Sequence, residues 1–265
     1  MERIPQRRVV LAEQFRLLLR RQRGSFGILL VGLALLAFAY SRTWIYPGWP
    51  AAGVTFGWIL SLLLLLLTVW WALAIWRDEP PRDRRYFWLQ PTSRGFHTAA
   101  RCAAGAALLC AAIAVAGAVL AGAVLTLPGG EALAARGAPP GAAYWLLWPV
   151  SALLAFALAS IAAVASNRPS AWLVGGAVGA VTFHAIAELR GIRWLDTLLS
   201  PLFDAPFSLT TALSAPNRFL LRSIAAGTPE PDARLIDSMP VVALLLWLTV
   251  AAAGLVLAIR FTRPR

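Results

Sequence analysis

Apolar residues fall into six long blocks along the chain, set apart by short breaks that carry arginine, proline and glycine. The blocks run Phe26 to Ile45, Val54 to Trp76, Ala99 to Leu127, Ala143 to Ser166, Ser170 to Ala187 and Met239 to Ile259. Each is near the length of about 20 residues that a helix needs to cross the hydrocarbon core of a bilayer. Backbone groups in lipid find no water to bond, so spans of this length are predicted to be helices. The expected fold is all-α: a polytopic membrane protein with six transmembrane helices in one transmembrane domain over 1-265.

The breaks have patterns of their own. In residues 8-21, Leu11, Phe15, Leu18 and Leu19 share one helical face while Glu13, Arg16 and Arg20 lie opposite. This predicts an interfacial helix, with Gly24 and Gly27 letting the chain turn into the first span. Span three is rich in Ala and Gly and suits close helix approach. Gly175 and Gly179 in span five have the spacing of a helix-packing seam, a possible dimer contact. Asn167-Arg168-Pro169 makes a tight turn that sets spans four and five side by side. The connection 188-238 is long and not simply polar. Trp194, Leu195, Leu198, Leu199, Leu202 and Phe203 predict a short amphipathic helix, with a second from Asn217 to Ala226. Both suit a membrane surface or a re-entrant path.

Composition agrees with lipid as the solvent: 59% of residues are hydrophobic and the mean hydropathy is +0.69. Charge then fixes the orientation. All 24 basic residues are arginine. The N-terminal tail, the break after span two, the turn at Arg168 and the C-terminal tail hold 17 Arg against 5 acidic residues, a net +12. The opposite side holds 7 against 7 and is neutral. Arginine-rich flanks stay in the cytoplasm, so both termini are expected there. The pI of 11.4 therefore reflects topology, with anionic lipid headgroups as partners, and excludes nucleic acid. Ala37-Phe38-Ala39 resembles a signal cleavage site, yet the basic stretch before it is too long and too patterned for a signal peptide. Cys102 and Cys110, eight residues apart on one span, are expected to pack structurally.

The break at 77-98 differs from a solvated linker. Pro80 and Pro81 stop any helix, arginines cluster at 82, 84 and 85, and Tyr86, Phe87 and Trp88 stand together before Pro91. Pro91-Thr92-Ser93-Arg94, followed by Arg101 at the mouth of span three, resembles the pattern of ABC-2 type transporter permeases. So do the upstream Asp78-Glu79 and the run Tyr86-Phe87-Trp88-Leu89. The order of elements is also similar: a surface helix, six spans, and a long external connection before the last. The chain departs from the family in lacking its usual Gly-Thr and in carrying Arg101 where Lys is common.

The resemblance implies an exporter's membrane subunit in the cytoplasmic membrane of a bacterium. It implies pairing with a second permease, as homodimer or heterodimer, and docking of a cytoplasmic ABC ATPase against the 77-98 coupling loop. ATP and Mg²⁺ would sit on that ATPase, with no cofactor on this chain. Tyr86, Phe87 and Trp88 would anchor the contact, with Glu79, Arg82, Arg84 and Arg85 as its rim. Thr92 or Ser93 would cap the helix that follows. For Arg94 and Arg101 two readings stand open, a protein contact or snorkelling to lipid phosphates.

Enzyme chemistry finds no foothold in the pattern: there is no phosphate-binding Gly-rich loop, no His-Glu-x-x-His and no carboxylate pair within the spans. His184 and Glu188 share a face near the outer end of span five. They define the alternative of a secondary carrier or channel with a coupling site there, or else a helix-end ion pair. His97 is expected to be solvated or interfacial within the cytoplasmic loop. A non-transporting membrane assembly subunit is the third class.

Overall fold

The computed structural model describes residues 7-43, 51-77, 94-126, 142-166, 168-203, 208-213 and 238-261. Among these residues the regular structure is entirely helical. The elements are α1 (Arg7–Arg21), α2 (Arg23–Thr43), α3 (Ala51–Arg77), α4 (Arg94–Thr126), α5 (Ala142–Ala165), α6 (Pro169–Arg190), α7 (Arg193–Leu199), α8 (Leu209–Leu213) and α9 (Ser238–Phe261). The six apolar intervals lie on α2, α3, α4, α5, α6 and α9. Of these, α4, α5, α6 and α9 are long and apolar enough to cross a membrane. A fifth candidate arises if α1 and α2 count as one span, bent by 80°.

That bend falls at Gln22, not at the glycines. Gly24 and Gly27 sit inside α2 with open space around them. Backbone bonds from Gln22 N–H to Leu18 O (2.8 Å) and from Phe26 N–H to Gln22 O (2.7 Å) carry the chain through the corner. Packing accounts for the position, because Gln14, Leu18 and Gln22, one turn apart, are all buried. The face of α1 turned to the protein is thus mixed Gln/Leu/Gln. Leu18 leaves the apolar stripe expected for the lipid side, and Leu11, Phe15 and Leu19 remain exposed.

Two packed clusters hold the helices together. The first joins α1 to α5 through Leu18, Leu29, Trp71, Ile75, Leu108, Leu109 and Phe156. The second joins α4, α5, α8 and α9 through Leu120, Leu147, Leu154, Ala212 and Leu244. Helix α5 contributes to both, and Leu36 and Trp148 border both. Helix α6 begins at Pro169, where a missing N–H costs nothing, after Arg168 N–H bonds Ser166 Oγ at 3.0 Å. It packs on α5, yet nearly all of its surface stays open. It ends at Gly191, whose φ of 61° is the left-handed conformation glycine tolerates.

Beyond α6 the chain folds back. Helix α7 lies on the protein's surface with Trp194 and Leu198 exposed. Helix α8 was not expected. Its N–H groups at Leu209 and Thr210 bond Pro201 O (3.0 Å) and Leu202 O (3.1 Å), and it packs against α9 and α5 with Ser208, Thr211 and Ala212 buried. The helix expected from Asn217 to Ala226 lies outside the described residues.

Candidate functional site

The aromatic and arginine-rich segment joins α3 to α4 in the sequence. Glu79, Arg82, Arg84, Arg85, Tyr86, Phe87, Trp88, Pro91 and Ser93 lie outside the described residues. Their two supports, however, are described. Helix α4 opens at Arg94, directly after Ser93, so residues 94-98 belong to a helix and not to the loop. His97 moves with them. It sits on the first turn of α4 and packs against α1, where the Gln14 side-chain amide lies 3.2 Å from His97 Nδ1. His97 was expected to be solvated or interfacial within a loop; its place is instead on a helix, which starts early enough to bring the ring against α1.

Arg101 is 5% exposed and turned into the protein. Its Nε donates to Ile75 O at 3.2 Å, and Nη2 donates to the same oxygen. Ile75 stands in the last turn of α3, where a helix end leaves carbonyls without intrahelical donors and carries partial negative charge. A cation there satisfies both needs. The guanidinium also lies over the Trp76 ring, 5.5 Å from its centroid. A hydrogen bond from a charged donor contributes about 1.5–3 kcal/mol, and a cation–π contact about 0.5–2 kcal/mol. Together these offset much of the cost of burying the charge. Of the two open readings for Arg101, the contact realised is with this chain itself.

One turn deeper, a second contact mirrors the first. Trp71 Nε1 donates to Gly105 O at 3.1 Å, and Trp71 is fully buried. Glycine favours the approach, since a Cβ at position 105 would overlap Ile75 Cδ1 and meet Phe156 Cζ at 3.0 Å. Phe26 of α2 packs on the Trp71 ring, with centroids 5.8 Å apart and planes 53° apart. Sequence reading anticipated that the Ala/Gly-rich span would be approached closely, but not where. Trp71 escaped it altogether, although a tryptophan deep in an apolar run must find an acceptor for its N–H.

The other candidates are dispersed. Among the described residues, Gly175 and Gly179 have no atom within 4 Å of where a Cβ would stand. His184 stacks on Phe203 at 4.5 Å and 11°, tying α6 to the turn after α7, while Glu188 is exposed. Cys102 is buried, Cys110 is half-buried, and both are free thiols. Among the described residues no group of three His, Cys, Asp or Glu side chains is placed to hold a metal ion.

Large apolar side chains such as Leu35, Trp172, Leu189 and Leu245 are exposed over several helices. An apolar surface so extensive is stable against lipid and not against water. Length, hydropathy and surface together define the class: a multi-pass helical membrane protein. No family model, curated protein or solved structure matches the chain.

Proposed function

We propose that the chain is the membrane-spanning permease subunit of an ATP-driven exporter of ABC-2 type, coupled through residues 77-101 to a separately encoded ATPase. In this reading six helices (α2, α3, α4, α5, α6 and α9) cross the cytoplasmic membrane of a bacterium, both termini are cytoplasmic, and two permease subunits form the substrate path. One observation carries the reading. The segment with Tyr86, Phe87 and Trp88 and the Pro91-Thr92-Ser93-Arg94 run joins two apolar helices that Arg101, two turns inside α4, ties to the last turn of α3. A docking element that must move spans needs anchoring side chains at its tip and firm attachment at its base.

The anchors are the place to test it. Burying an aromatic at the centre of a protein contact is worth about 2 kcal/mol or more, whereas a solvated rim charge contributes little. Phe87→Ala with Trp88→Ala is expected to weaken co-purification of the ATPase, or its stimulation by the permease, while the permease still inserts and folds. Arg84→Ala should do less. Full association and full transport in the double mutant would assign the aromatics to an interfacial membrane belt and remove the coupling role.

A further inference from the structure

The two contacts between α3 and α4 are reciprocal. Trp71 on α3 donates to the Gly105 carbonyl of α4, and Arg101 on α4 donates to the Ile75 carbonyl of α3. Each helix gives one side chain and offers one carbonyl. Trp71 and Ile75 are one turn apart, as are Arg101 and Gly105, and the pairing runs in opposite chain directions. Elsewhere α3 and α4 approach each other little, each packing chiefly on other helices. The missing side chain at Gly105 and the pressure of Phe26 on Trp71 keep the crossing tight.

We propose that Trp71 and Arg101 are positioning residues that brace the two helices joined by the 78-93 segment, fixing the spacing and angle of α3 and α4 from two turns inside α4. With free bases, a partner seated on Phe87 and Trp88 would displace only the segment. With braced bases, the same displacement moves α3 and α4 as a pair, and α2 with them through Phe26. Arginine suits this post better than lysine, because its fork sets two N–H groups on one carbonyl while its flat face covers Trp76. What the brace transmits rests on the coupling function proposed above; the brace itself does not.

The test uses the full chain in lipid nanodiscs, with Cys102→Ala and Cys110→Ala, and spin labels attached through Arg77→Cys and Arg94→Cys. With the labelled chain diluted into an excess of unlabelled chain, so that intersubunit pairs of labels are rare, pulsed electron resonance should give one narrow distance peak. Arg101→Gln and Trp71→Phe should each lose that peak while helicity and elution volume stay unchanged, and Arg101→Lys should fall between. If Arg101→Gln does not accumulate, Trp71→Phe, which keeps most of the ring volume, decides the matter. A broad distribution in the parent, or a narrow one retained in both variants despite a lowered melting temperature, overturns the brace. Stimulation of the ATPase is measured alongside. Its absence in the parent would sink the coupling function and leave the distance measurement to judge the brace.

Discussion

At Gly105 the absence of one carbon decides how near α4 can come to α3 and α5. Alanine is favoured over glycine in a helix by about 1 kcal/mol, so Gly105→Ala would stabilise an open position. Here the new Cβ would overlap the Cδ1 of fully buried Ile75, whose side chain would have to shift within a packed interior. Overpacking costs about 1–3 kcal/mol, enough to outweigh the helical gain. Gly105→Ala is expected to lower the melting temperature in detergent, and Gly105→Leu to lower it further; a rise in either would show that the crossing is looser than described. At this scale sequence was a partial guide. It offered span three as a close-packing helix, but Arg101 at the mouth of an apolar run reads equally as a snorkelling residue. Only the carbonyl of Ile75, far off in the chain, distinguishes the two.

Among the elements, α6 and α1 depart most from what periodicity conveys. The apolar block of α6 resembles the others, yet α5 is largely buried within the protein and α6 is not. Hydropathy reports solubility in lipid and is silent about neighbours. The open surface makes a sharp experiment possible. Both positions are exposed and, among the described residues, no atom lies within 4 Å of a Cβ there, so Gly175→Leu with Gly179→Leu should leave the melting temperature within the small range typical of surface changes. If a second permease copy packs on this seam, as the exporter function calls for, the same pair should abolish dimer cross-linking. An unaltered dimer would move the subunit contact elsewhere. Helix α1 shows the opposite error: amphipathicity was legible, but buried Gln14 and Gln22 are polar and leave no trace in a hydrophobic pattern. Helix α8 is too short for any period to register.

Across the whole molecule, the asymmetry of 17 against 7 arginines was the clearest signal in the sequence, because membrane insertion itself sorts positive charge. Reporter fusions at Arg23, Arg85 and Arg265 are expected to read cytoplasmic, and one near Pro229 external. An external reading at Arg85 would invert the orientation and, with it, the side on which any ATPase could dock. The two packed clusters follow a different logic, that of biogenesis. Every buried member of the first lies between Leu18 and Val164, whereas the second waits for Ala212, Ala243, Leu244 and Ala251. Synthesis delivers the chain from its N-terminus, and units fold as they emerge. The buried members of the first cluster are therefore all synthesised before α6, while Leu173 of α6 and Leu255 and Ala258 of α9 close over it afterwards. A nascent chain halted after Val164 would carry every residue of the α3–α4 crossing, with α9 still unmade.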